Sequence, residues 1–200
     1  MIRFLAALLA ALIVCGPVAA QSGHNLLAGD DKEINPRYLL QDTNGRSVTS
    51  EDFRGRFQLI AFGYTYCPDV CPTTLVEMAA ILKQLGDLAD RLQPIFVTVD
   101  PERDSAKVLK TYTEFFDPRI LGLTGSPALI RRAADNFKIR YAKVREPGSE
   151  NYVMDHSAGM ILLGADGQYI RKFAFAMPVV QITAQLVEIM NAYPAGPARR

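Results

Sequence analysis

At 200 residues, with hydrophobic side chains at 49% and charged ones at 22%, the chain has the length and composition of one globular domain with a full core. It contains no repeat and no low-complexity tract. Its net charge of +1 gives no electrostatic reason for a nucleic acid or an acidic surface as partner.

The first twenty residues, MIRFLAALLAALIVCGPVAA, place one arginine before an apolar run from Phe4 to Val14, then Gly16-Pro17 and the small residues Val18-Ala19-Ala20. This is the layout of a secretory signal peptide cleaved after Ala20. Two other fates fit the same segment: retention as an N-terminal membrane anchor, and lipidation at Cys15, since Leu12-Ile13-Val14-Cys15 loosely resembles a lipobox. All three carry the domain out of the cytoplasm. The expected location is periplasmic, free or anchored to the inner membrane. Residues 21–36 are polar and without period and read as a tether, leaving 37–195 as the folded domain.

Within the domain, Asn44-Gly45 between two short apolar runs predicts a hairpin. Phe57 to Gly63 is a continuous apolar run that suits a buried strand. Apolar residues at Leu75, Met78, Ala79, Leu82 and Leu85 predict a helix over 73–88. A second strand-like run follows over 92–99, then a helix over 105–116 with Asp104 or Ser105 as cap. A short strand is expected over 120–123, and a helix over 127–137 capped by Ser126 with Pro127 at its first position. Runs over 158–163 and 168–173 flank Asp166-Gly167 as a second hairpin, and a helix over 178–193 closes the chain. Strands alternating with helices mean an α/β domain, and the final tight turn makes its sheet mixed. The order is that of a thioredoxin-like fold with an extra N-terminal β-hairpin.

The stretch that carries chemistry is YTYCPDVCPTTL, with Cys67 and Cys71 four positions apart and a proline after each. A residue before proline is pushed away from the α region. Cys71 is therefore expected to be non-helical, at or near the N-cap, with Pro72 at the first helical position. A thiolate there faces unpaired backbone N–H groups and the positive end of the helix dipole, so Cys71 is expected to ionise readily. Three uses fit such a pair: a structural disulfide, a redox couple, or part of a metal site. Closing so short a loop gives roughly 2 kcal/mol, which a domain with a full core hardly needs. The chain has only two histidines. His24 lies in the tether and reads as solvated. His156 precedes AGMILL at the lip of a strand expected beside the one feeding the cysteine loop, which makes it the third candidate ligand. Two soft thiolates and an imidazole suit copper in either oxidation state, whereas a structural zinc site wants a fourth protein ligand. Asp155 should face away from that ring, and Met154 and Met160 read as core. Asp69 could tune the cysteine loop. Asp100-Pro101-Glu102-Arg103-Asp104 reads as turn and cap chemistry, with partner docking as the alternative, and Arg131-Arg132 and Arg171-Lys172 as solvated faces.

Three stretches, GYTYCPDVCPTTL (63–75), VTVDPERDS (97–105) and MDHSAGMILL (154–163), together resemble the Sco/SenC family of copper-handling proteins. The likeness runs from about Tyr38 to Tyr193 with the motifs in order. The resemblance implies a thioredoxin-like fold and one copper ion, Cu(I) or Cu(II), held by Cys67, Cys71 and His156. It also implies a role in assembling the binuclear copper centre of cytochrome c oxidase. The partner would be that copper-centre subunit, with another periplasmic copper chaperone or a thiol reductase as further partners. Tyr66 stands where many relatives have histidine before the first cysteine, and the leader looks more cleavable than the family's usual membrane span. Two functions compete: a copper metallochaperone, which is not formally an enzyme, and a thiol–disulfide reductase that keeps the oxidase subunit's cysteines reduced with Cys67 and Cys71 as its redox-active dithiol. His156 separates them, because chelation needs it and disulfide exchange does not.

Overall fold

The computed structural model describes residues 34–145, 148 and 151–193. The leader, Cys15, His24 and most of the tether lie outside the described residues. Among those described, no helix is long and apolar enough to cross a membrane.

The chain opens with β1 (Leu39–Asp42) and β2 (Ser47–Thr49), paired antiparallel around the Asn44-Gly45 turn. Gly45 has φ +81°, the left-handed conformation that such a turn requires and glycine adopts without strain. The next strand, β3 (Phe57–Gly63), is buried at every position, as is β4 (Leu92–Thr98), and the two run parallel. Between them lies α1 (Val70–Leu85), ended at Gly86 with φ +55° and followed by a short 3₁₀ turn over Gly86–Arg91. Then come α2 (Ala106–Phe116), β5 (Leu121–Thr124) and α3 (Pro127–Asn136). The Ser105 and Ser126 hydroxyls accept from the Val108 and Leu129 amides at 3.3 Å and cap the two helices.

Two strands that the sequence reading did not anticipate follow: β6 (Tyr141–Arg145) and β7 (Tyr152–His156), an antiparallel hairpin of its own. The expected last hairpin is present as β8 (Met160–Leu163) and β9 (Tyr169–Phe173), and α4 (Val179–Ala192) ends the described chain. The main sheet has seven strands in the order β2-β1-β5-β4-β3-β8-β9. Because β1 pairs with β5, the N-terminal hairpin extends the sheet and is not an appendage. The sheet is mixed and flanked by helices, with α1 packed against α4, and the fold is thioredoxin-like. Its core is built from the fully buried strands β3, β4 and β8 and the inner faces of the helices.

Candidate metal centre

The cysteine segment leaves the C-terminal end of β3 at the middle of the sheet. Contrary to the expectation from the prolines, Asp69 holds the N-cap position and Cys71 is the second helical residue. The helix tolerates this because its first four N–H groups have no partner within it, so Pro72 at the third position costs no bond. The orphan N–H of Cys71 instead reaches the Cys67 sulfur at 3.4 Å. The helix terminus therefore serves Cys67, and Asp69 makes no side-chain cap.

Cys71 is 1% exposed and both cysteines are free thiols. Its sulfur packs under Gly63, where an added Cβ would lie 2.7 Å from it and 2.8 Å from the Phe96 ring. The expectation of a readily ionised Cys71 is overturned. Burial pushes this thiol well above its ordinary value, the Tyr64 backbone N–H pulls it back only in part, and the neighbouring Cys67 adds to the rise.

His156 stands at the end of β7, not on the lip of β8 as the sequence suggested. Its Nε2 lies 3.4 Å from the Cys71 sulfur. Its Nδ1 lies 3.1 Å from the Ser157 carbonyl, which can only accept, so Nδ1 carries the proton and Nε2 presents its lone pair toward the thiols. The ligand atoms of Cys67, Cys71 and His156 all lie within 4.8 Å of one another. A sulfur and an imidazole nitrogen sharing one first-row ion at about 2.3 and 2.0 Å stand ~3.4–3.8 Å apart, which the Cys71–His156 pair already satisfies. The cluster therefore fits a single soft ion, with half-buried Cys67 on its open side. Asp155 is exposed and outside this group, while Met154 and Met160 are core residues.

The segment after β4 does more than turn and cap. Asp104 is fully buried and accepts from the Thr65 amide at 3.1 Å, the Thr65 hydroxyl at 2.6 Å and the Thr98 hydroxyl at 2.6 Å. It thereby pins the start of the cysteine loop to the end of β4. Burial pushes the Asp104 carboxyl up, these hydrogen bonds pull it back, and the Asp100 charge adds to the rise. Tyr64, 2% exposed, packs edge-on against the His156 ring at 5.9 Å. Asp100 and Arg103 form an ion pair beneath it. Neither Tyr64 nor Arg103 stood out in the sequence as more than packing or turn chemistry. The signal available was position: charged residues directly after a wholly apolar strand, at the sheet end that carries the cysteines. Arg131 and Arg132 are exposed, as expected, and the Arg131 guanidinium stacks 3.7 Å from the Tyr141 ring centre at the surface.

Fold and cluster together define a thioredoxin-like domain whose cysteine pair and a neighbouring imidazole form a group that could hold one metal ion. The chain belongs to the SCO1/SenC family, whose model matches residues 28–191. It is 39% identical over 145 residues to a SCO2-like protein of Rickettsia felis, covering 72% of this chain and 71% of that one. It superposes on the copper-bound ScoI of Bradyrhizobium japonicum with a TM-score of 0.71 at 38% identity, covering 78% of this chain and 98% of the other. It also matches BsSco, a member of the Sco family of cytochrome c oxidase assembly proteins in which a disulfide switch was identified. That likeness has a TM-score of 0.59 and 27% identity, covering 78% of this chain and 92% of the other.

Proposed function

We propose that this chain is a copper metallochaperone that holds one copper ion between Cys67, Cys71 and His156. It would deliver that ion to the binuclear copper centre of cytochrome c oxidase during assembly. The observation that carries the reading is the bare His156 Nε2 at 3.4 Å from the Cys71 sulfur, with Cys67 completing the cluster. Two thiolates and an imidazole favour copper over hard cations. Three protein ligands leave one side of the ion open, so a partner's thiolate or imidazole can add before this chain's ligands leave. No net oxidation is needed: the ion passes at constant charge, and the thiols recover the protons they gave up. The leader supports action in the periplasm, free or tethered to the inner membrane, where the copper-centre subunit is the partner.

A second reading is favoured by the two free thiols. As a reductase, one thiolate would attack a partner disulfide and the other would resolve the mixed disulfide. The partner would gain two electrons and this chain would be left with a Cys67–Cys71 disulfide, to be reduced again by an external dithiol.

The deciding experiment is copper reconstitution of the reduced full chain under anaerobic conditions, with stoichiometry, thiolate-to-copper absorption and a free-thiol count, beside His156→Ala. One copper per chain, with binding crippled in the variant while its cysteines still cycle between thiol and disulfide, supports the metallochaperone. A variant that keeps copper with native affinity and spectrum removes His156 from the ligand set. A wild-type chain that only becomes disulfide-bonded and retains no metal puts the reductase first.

A further inference from the structure

His156 is carried by a part of the fold with little attachment of its own. Among the described residues, strands β6 and β7 pair only with each other and share no pairing with the seven-stranded sheet. Of their residues only Met154 is fully buried. Something other than the sheet has to hold the imidazole beside the cysteines.

Arg103 is placed to do this. Its Nη1 donates to the Tyr152 carbonyl at 2.9 Å, and its guanidinium carbon lies 3.7 Å from the Tyr152 ring centre. Its Nε is paired with Asp100, whose other oxygen accepts from the Tyr152 hydroxyl at 2.9 Å. One ion pair thus grips the backbone, ring and hydroxyl of the first residue of β7. The same guanidinium lies 5.5 Å from the Tyr64 ring and 4.9 Å from the Tyr66 ring, both in the segment leading into Cys67. Its Nη2 is buried with no hydrogen-bond partner among the described residues; the guanidinium charge is balanced by Asp100 and faces the surrounding aromatic rings. The hairpin has other fastenings. Lys143 pairs with Glu102 at 2.8 Å, Arg131 stacks on Tyr141, and the Tyr64 hydroxyl lies against the Met154 backbone. Among these groups Arg103 and the Tyr64 ring it faces both bridge the cysteine segment, the loop after β4 and the histidine strand, and Arg103, paired with Asp100, is the one that grips the backbone, ring and hydroxyl of Tyr152.

We propose that Arg103 is a positioning residue for His156: it locks the histidine strand against the cysteine segment, so the third ligand is in place before an ion arrives. Its consequence for the metal rests on the copper reading; its consequence for the hairpin does not. Without the lock the site falls back to two sulfurs. Cu(I) is served well by thiolates alone, whereas Cu(II) leans on the imidazole, so the two oxidation states should respond unequally.

The test uses the full chain with Arg103→Met, which keeps length and loses charge, and Arg103→Lys, which keeps charge and loses the planar fork. In the metal-free, reduced protein, amides of 141–145 and 152–156 should exchange with solvent faster in Arg103→Met while those of β3 and β4 keep their protection. Cu(II) affinity should fall about 10–100-fold, the nitrogen splitting of its paramagnetic resonance spectrum should weaken, and Cu(I) affinity should fall less. Arg103→Lys should recover little of the nitrogen signal. Should Arg103→Met fail to fold, Tyr152→Leu removes the same grip from the hairpin side and should give the same pattern. Native hairpin exchange with a native nitrogen signal would overturn the proposal. So would an equal loss of Cu(I) and Cu(II) with faster exchange across the whole domain, which marks a general folding role. A wild-type chain that takes up no copper would defeat the function proposed above, and the metal-free exchange would still decide whether Arg103 holds the strand.

Discussion

At Gly63 the absence of a side chain lets the Cys71 sulfur lie against the end of β3 with the Phe96 ring on its other side. Cys71 and Phe96 are each 1% exposed, so neither can swing aside. Gly63→Ala should therefore cost about 1–3 kcal/mol from overpacking and weaken copper binding by displacing one ligand. Urea denaturation of the metal-free protein and a Cu(I) competition assay would check both, and wild-type values in each would show that the sulfur has room to move. Asp104 makes a related prediction. Replacing it with Asn leaves one oxygen to meet three donors, at a cost of about 1–3 kcal/mol, and should loosen Thr65 first. The pH dependence has a definite sign. A carboxyl raised in the folded state favours folding at low pH and loses that contribution as pH rises through the raised value. Wild-type stability should thus retain at acid pH a component that Asp104→Asn lacks, measurable as a steeper acid loss in the variant.

The hairpin of β1 and β2 carries the opposite case. Asp42, 1% exposed, accepts from the Asn44 and Arg46 amides at 2.8 and 2.9 Å and from the Arg46 side chain at 2.8 Å. Burial alone would raise this carboxyl, but the bonds from Arg46 and Asn44 outweigh it and hold it below the usual range. Its contribution is therefore present above the ordinary carboxylate value of about 4 and is lost as pH falls through the depressed one. Asp42→Asn should destabilise the domain by about 1–3 kcal/mol at neutral pH and flatten the loss of stability below pH ~4, as read from urea midpoints across that range. The same hairpin was legible in the sequence through Asn44-Gly45, and the strands β3 and β4 through runs of apolar residues that only a strand buried on both faces needs. The hairpin of β6 and β7 was not. Its strands are largely exposed, so no apolar alternation marks them, and only the Pro147-Gly148 pair between Tyr141–Arg145 and Tyr152–His156 hinted at it. Cys67, Cys71 and His156 could be read as a group from their chemistry. That Cys71 is helical and buried could not, because its burial comes from Gly63 and Phe96 across the fold.

For the whole molecule, an ion that binds only the folded state should stabilise it by mass action. At a hundredfold excess over the dissociation constant the gain is about 2.7 kcal/mol, or ~5–11 °C in melting temperature for a domain of this size. A chelator should reverse the shift, and Cys71→Ser should remove most of it. An unchanged melting temperature in copper-saturated wild-type protein would count against binding at this cluster. The order of the sheet bears on how a partner can approach. Its two outer strands are β2, with three residues, and β9, which carries Arg171 and Lys172. A very short edge and a cationic one are poor templates for strand addition. The cysteine segment, by contrast, emerges from the inner strand β3, so a partner that reaches the cysteines meets the loops at that pole of the sheet. A partner would be selected by the shape and charge of those loops and not by a borrowed backbone register. If the proposed delivery holds, rewriting those loops with the sheet left untouched is the economical way to redirect this scaffold to another acceptor.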